Sequence, residues 1–224
     1  MSIANVEFSA NGGTAPGYLA RPANPNGKAV IVLQEWWGLM PEIAAVCDRF
    51  AEDGFFALAP DLYRGEATEL PDEAQQKMMA LNMQQTEQDL RGAIDFVANV
   101  AGAETVGVIG FCLGGGLSVF AASLNPKVGA CSSFYYVMPH QQPDFSKISA
   151  PVLMHFASED AFIPVEQANA LVDEMRAAGA NVTAEFYDGC GHAFFNASNR
   201  LGTYDAAAAD LAWQRTAELF SQNL

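Results

Sequence analysis

Cys112 stands in Gly110-Phe111-Cys112-Leu113-Gly114, with a glycine two residues away on either side. The apolar run Val106, Val108 and Ile109 before it reads as a buried strand, and Leu117-Ser-Val-Phe-Ala-Ala-Ser after it reads as a buried helix. A thiol on such a strand-to-helix corner is uncrowded, because the flanking glycines carry no side chains, and it projects from the end of a sheet. The start of the helix adds unpaired N–H groups and a dipole that favour thiolate over thiol. The Leu113 N–H is placed to hold an oxyanion. This is the pattern of a nucleophile; the competing reading is a β–α connection that packs an inert cysteine.

A cysteine nucleophile needs a base and a group that orients the base. In an open α/β sheet such residues follow the carboxyl ends of strands. Ser158-Glu159-Asp160 follows a strand ending at Phe156, and Gly189-Cys190-Gly191-His192 follows one ending at Tyr187. His192 can take the thiol proton and later give a proton to a leaving oxygen, while Asp160 would fix its tautomer and stabilise the imidazolium. Glu159 is the rival for that role, and Asp160 alone also reads as a turn residue before Pro164. Glycines 189 and 191 would let this loop approach the corner. His155 lies inside an apolar strand and reads as a satisfied core residue; His140 sits in a proline-flanked loop. Glu35 follows the run Lys28–Leu33 and precedes Trp36 and Trp37. Shielded there, it would have a raised pKa and could carry a proton. The Trp36 N–H would be the second oxyanion donor.

These residues require a sheet whose strand ends meet. Lys28–Leu33 is a continuous apolar run, the pattern of a strand covered on both faces. Further strands are read at Val6–Phe8, Gly17–Ala20, Phe55–Ala59, Val128–Tyr136, Pro151–Phe156 and Val182–Tyr187. Helices are read at Pro41–Asp53, stopped by Gly54, then from Thr86 to Ala101, Val165 to Ala178 and Tyr204 to Gln222. Residues 61–85 form a polar, methionine-rich insertion whose Met78, Met79 and Met83 read as core filler or as a partner to a lid. The alternation predicts an α/β fold with a mostly parallel central sheet and helices on both faces.

With 224 residues, half of them hydrophobic, the chain can bury one substantial core, and a single domain over 1–224 is expected. There is no apolar stretch of membrane-spanning length, and the first residues lack the basic and apolar regions of a signal peptide, so a cytoplasmic location is expected. Cys47, Cys112, Cys131 and Cys190 are spread singly, with no C-x-x-C pair. A net charge of −15 disfavours nucleic acid and anionic membranes as partners and mildly repels anionic substrates.

Taken together the residues resemble the dienelactone hydrolase family of α/β-hydrolases. The matching pieces are Gln34-Glu35-Trp-Trp-Gly38, Ala59-Pro-Asp-Leu-Tyr63, Gly110-Phe-Cys-Leu-Gly-Gly115, Ser158-Glu-Asp-Ala-Phe-Ile-Pro164 and Gly191-His-Ala-Phe194. The resemblance implies an α/β-hydrolase fold and hydrolysis of a small ester or lactone through an acyl-thioester. It implies a Cys112–His192–Asp160 triad assisted by Glu35, with no metal or organic cofactor. The sequence itself leaves a monomer and a small homo-oligomer both open. Family members that act on dienelactone clamp its carboxylate with arginines, one of them four residues after the histidine, where this chain has Asn196. They carry serine where Ala193 follows the histidine here. The remaining cations are Arg64 and Lys77 in the insertion and Arg200 beyond it, and Trp36, Trp37, Phe111, Tyr63, Tyr135 and Tyr136 are the candidate walls. Cys190 is either a bystander or a second thiol near the site. Two further readings compete: a non-catalytic protein of this fold that binds a small molecule or partner, and a thiol metal or redox site built from Cys112, Cys190 and His192.

Overall fold

The structure, a computed structural model, describes residues 3–224; Met1 and Ser2, at the head of the segment read above as lacking a leader, lie outside the described residues. The strands are β1 (Val6–Ala10), β2 (Gly13–Ala20), β3 (Ala29–Leu33), β4 (Phe56–Pro60), β5 (Val106–Phe111), β6 (Val128–Phe134), β7 (Val152–Ala157) and β8 (Val182–Tyr187). They form one sheet in the order β1-β2-β4-β3-β5-β6-β7-β8. Only β1 and β2 run antiparallel to their neighbours; from β4 to β8 every pairing is parallel.

The helices are α1 (Pro41–Glu52), α2 (Pro71–Met79), α3 (Met83–Ala101), α4 (Leu113–Leu124), α5 (Val165–Ala177) and α6 (Ala206–Asn223). One face of the sheet packs against α3, α4 and α5 through Leu90, Ile94, Leu117, Val172 and Met175. The other packs against α1 and α6 through Ile43, Phe50, Trp213 and Phe220. Every residue of β3 is fully buried, as expected of a strand covered on both faces.

Strand order decides where a site can form. The chain passes from β3 to β4 on one side and then returns to place β5 on the other side of β3. The crevice at the carboxyl ends of strands flanking such a reversal is where α/β sheets bind ligands. Glu35 leaves the end of β3, and Cys112 leaves the end of β5.

The strand expected over Val128–Tyr136 stops at Phe134, where Tyr135 takes a positive φ, and the helix expected from Tyr204 starts at Ala206 behind the Asp205 cap. Two regions differ further. The insertion holds α2, which opens with Pro71 at its first turn followed by Asp72 and Glu73. Then α3 begins at Met83, three residues before the expected Thr86, because the Asn82 side chain caps it by accepting from the Gln85 N–H. Met78 and Met83 pack against the core, whereas Met79 is exposed. Likewise β2 starts four residues early, since its pairing with β1 carries the ladder from Gly17 back to Gly13.

Candidate active site

Cys112 caps α4 with φ 55° and ψ −115°, a conformation that side-chain-bearing residues rarely hold. Its flanking glycines are required by contact. A Cβ on Gly110 would lie 1.8 Å from the Gly114 carbonyl oxygen, and one on Gly114 would lie 2.3 Å from that of Leu33. The corner is therefore pressed against itself and against the end of β3. The backbone holds it there, with the Cys112 N–H donating to Phe134 and its carbonyl accepting from Val137 and Gly116.

The two expected oxyanion donors, Leu113 and Trp36, belong to the two backbone segments that meet at that contact. Leu113 is the first residue of α4, so its N–H has no acceptor within the helix. Trp36 follows directly on the Leu33-Gln34-Glu35 backbone, against which Gly114 is packed. Glycines 189 and 191 act elsewhere than expected: Gly191 makes room for Thr203, and Gly189 adopts φ +69° with open space around it.

His192 is 5% exposed and its Nδ1 lies 2.8 Å from Asp160 Oδ2. Asp160 is buried while Glu159 is exposed, so Asp160 is the carboxylate that reaches the imidazole. Its other oxygen accepts from the Phe162 and Ile163 N–H groups, which makes it a turn residue and an imidazole partner at once. Burial opposes the imidazolium, but hydrogen bonds and charge from Asp160 and Cys112 outweigh it and hold His192 at about 10. Ala193 (φ 64°) and Tyr135 (φ 37°) share the left-handed backbone of Cys112, so three strained residues surround the imidazole.

Glu35 is 3% exposed. Its carboxylate accepts from Asn196 Nδ2 at 2.7 Å and from the Tyr135 hydroxyl at 3.1 Å. Burial pushes its pKa up, while Asn196, the positive charge of His192 and Tyr135 pull against that rise. Asn196, which occupies the position of the family's arginine, is thus committed to Glu35. Sequence pattern could not reveal a contact between side chains 161 positions apart.

The aromatic candidates divide. Trp36 packs edge-on against Phe162, whose ring covers His192 with centroids 4.6 Å apart. Sequence reasoning missed Phe162; its signal was an aromatic residue in the turn two positions after Asp160. Tyr63 is buried near Cys112, whose charge, after burial itself, raises the Tyr63 pKa. Tyr135 packs against His192, and Phe111 lies behind it. Trp37 instead is buried with Met40 and Ala74, where it anchors α2.

Each of the three candidate cations faces a carboxylate. Arg64, expected to bind substrate, donates to Asp89 of α3 at 2.6 Å and lines a cavity of its own with Lys77. Lys77 pairs with Glu66, and Arg200 pairs with Glu42 and Glu69. His155 is satisfied, as read from its apolar strand, by Tyr187, Ser132 and Thr216. Burial and the carboxylates of Asp205, Asp188 and Glu159 raise the Cys190 thiol, the opposite of activation. Among the described residues no three His, Cys, Asp or Glu side chains are grouped to hold a metal ion, and no helix is long and apolar enough to cross a membrane.

The sequence matches the model of the dienelactone hydrolase family over residues 15–224. It is 34% identical over 228 residues to "Protein usf" of Aquifex pyrophilus, and 31% identical over 228 residues to the "Putative carboxymethylenebutenolidase" of Aquifex aeolicus; each alignment covers 98% of both chains. A crystal structure titled as a putative dienelactone hydrolase from Klebsiella pneumoniae superposes with a TM-score of 0.87 at 29% identity, covering 97% of this chain and 98% of that one. With fold, length and nearly every residue of the chain accounted for by these relatives, it belongs to the dienelactone hydrolase family and is a hydrolase of that α/β-hydrolase type.

Proposed function

We propose that the chain, as one domain, hydrolyses small uncharged esters or lactones through an acyl-thioester on Cys112. The observation that carries this reading is the buried His192–Asp160 pair beside a thiol at the strained β5–α4 corner. The Cys112 thiolate attacks the carbonyl carbon, and the Leu113 and Trp36 N–H groups hold the oxyanion that forms. As the tetrahedral species collapses, the C–O bond breaks and imidazolium His192 protonates the departing alkoxide or enolate. A water then attacks the thioester while His192 takes its proton, and the acid leaves as the C–S bond breaks. Asp160 keeps Nδ1 as the donor side of the ring, which leaves Nε2 for both proton transfers. Glu35 helps to deprotonate the thiol when substrate arrives.

The preference for an uncharged substrate follows from the cations. Arg64 lies in a cavity of its own against Asp89, and an anionic group entering the site would have to compete with Glu42 and Glu69 for Arg200 and would meet a net charge of −15. The test is kcat/KM for 4-nitrophenyl acetate beside dienelactone, with Cys112→Ala as the blank. The expected result is turnover of the neutral ester that Cys112→Ala abolishes. A preference of about tenfold or more for dienelactone would overturn the uncharged reading, and turnover independent of Cys112 would overturn the nucleophile.

A further inference from the structure

A crevice of about 440 Å³ opens on the far side of Glu35, between α1, α6 and the segment 195–204. Its floor is Glu35, Phe111 and Tyr135, all buried, and its mouth is bordered by the exposed Ala45, Tyr204 and Asp210. It is separate from the space around the thiol. Neither Cys112, His192, Trp36 nor Phe162 lines it, and Tyr135 is the partition, with its ring against His192 on one side and facing the crevice on the other.

The side walls are apolar: Ile43 and Val46 from α1, Phe195 stacked on Phe111 with centroids 5.1 Å apart, and Ala209 of α6. Charges at the rim cancel in pairs. Arg49 lies over the Trp213 ring and pairs with Asp210 at 3.7 Å, and Glu42 is taken by Arg200. Only Glu35 has no ion pair: its donors, Asn196 and Tyr135, are neutral, and the charge of His192 acts on it without direct pairing. Each carboxylate oxygen can accept more than one hydrogen bond, so Glu35 has acceptor capacity to spare. The walls thus reward an apolar body, the floor offers one more acceptor position, and nothing there compensates an anion.

We propose that this crevice binds a small uncharged molecule with an aromatic or branched apolar body and a single hydroxyl or N–H that donates to Glu35. The site stands independently of the reading of Cys112, since binding can be measured without turnover. It also places an alcohol, the class of product that ester hydrolysis releases, against the back of the carboxylate assigned to the reaction.

The probe is benzyl alcohol, with toluene as the same ring lacking the hydroxyl, titrated into isotope-labelled protein whose Cys112 has been alkylated with iodoacetamide. The expected result is saturable amide shifts at Ile43, Val46, Phe195 and Ala209 in alkylated and unalkylated protein alike. Toluene should bind several-fold more weakly, roughly what one net hydrogen bond provides. Ala45→Trp and Ala197→Trp, each of which fills the crevice from an exposed position on a different segment, should weaken binding by about tenfold or more while kcat/KM for the neutral ester is unchanged. Shifts centred on Leu113 and Gly114, loss of binding on alkylation, or an unchanged Kd in both tryptophan variants would overturn the site. Equal affinity for toluene would overturn the role given to Glu35.

Discussion

His155 and His192 lie in neighbouring parts of the same molecule, and their surroundings differ in charge. Both are buried, at 0% and 5% exposure, and both have hydrogen-bond partners. The partners of His155 are the hydroxyls of Ser132, Thr216 and Tyr187, while His192 meets the Asp160 carboxylate and the Cys112 thiol. Burial, helped by the positive charge of Arg215, pushes His155 down to about 3, and partners with negative charge hold His192 at about 10 against a similar burial. Satisfying a buried imidazole and charging it are separate achievements: hydroxyls do the first, and an anion is needed for the second.

The pH dependence of the two has opposite sign. His192 has its folded pKa raised above the usual 6.5, so its contribution to stability is complete below that value and is lost as pH rises through about 10. His155 has its folded pKa lowered, so its contribution is complete above 6.5 and is lost as pH falls toward about 3.

The comparison breaks most visibly at Asp160. Asp160→Asn takes the charge away and leaves a hydrogen-bonding amide, so His192 should titrate much closer to neutrality. Turnover should fall by roughly 10³-fold or more, as expected when the orienting carboxylate of a triad is lost. An NMR titration of the imidazole and kcat measured on the same variant check this. An unshifted His192 would show that Asp160 does not set its charge. His192→Ala should cost at least as much activity with the fold retained in circular dichroism.

On the other histidine the effect should appear in stability and leave turnover alone. His155→Gln loses part of a buried hydrogen-bond set with no contact to Cys112, and should cost about 1–3 kcal/mol at neutral pH. Because the wild-type advantage depends on a neutral ring, the gap should narrow as pH falls from 6.5 toward 3. Urea unfolding at pH 7 and pH 4 tests it; a gap that widened in acid would reverse the assigned sign.

What the sequence revealed of this contrast follows from how local each signal was. The corner at Cys112 was legible because Gly110 and Gly114 mark a place where backbone touches backbone, and His192 because it alone follows a strand within a glycine turn. His155 was legible from its apolar strand. The choice between Asp160 and Glu159 was not, since adjacent residues on a turn point in different directions and only the burial of one decides. The hold of Asn196 on Glu35 joins distant loops and leaves no local trace. The helix α2 left one in Pro71-Asp-Glu, which the polar composition of the insertion concealed.

Glu35 extends the contrast to a carboxylate, with the smallest expected effect. Like His155 it is buried among neutral partners, Asn196 and Tyr135, and like His155 it is pushed toward its uncharged form. A carboxylate whose folded pKa is raised is destabilising once it ionises, so its cost grows as pH rises above the usual carboxylate range. Glu35→Gln keeps the acceptor for the Tyr135 hydroxyl, loses the one for Asn196 and removes the charge. The variant should lose activity while gaining about 1 kcal/mol of stability at pH 8, the trade expected where function retains a strained group. At pH 4, where the wild-type carboxylate keeps its proton, the gain should vanish or reverse as the Asn196 bond is missed. Thermal unfolding of both proteins at the two pH values reads the difference directly. A stability loss of equal size at both would mean that hydrogen bonds, and not the buried charge, dominate at Glu35.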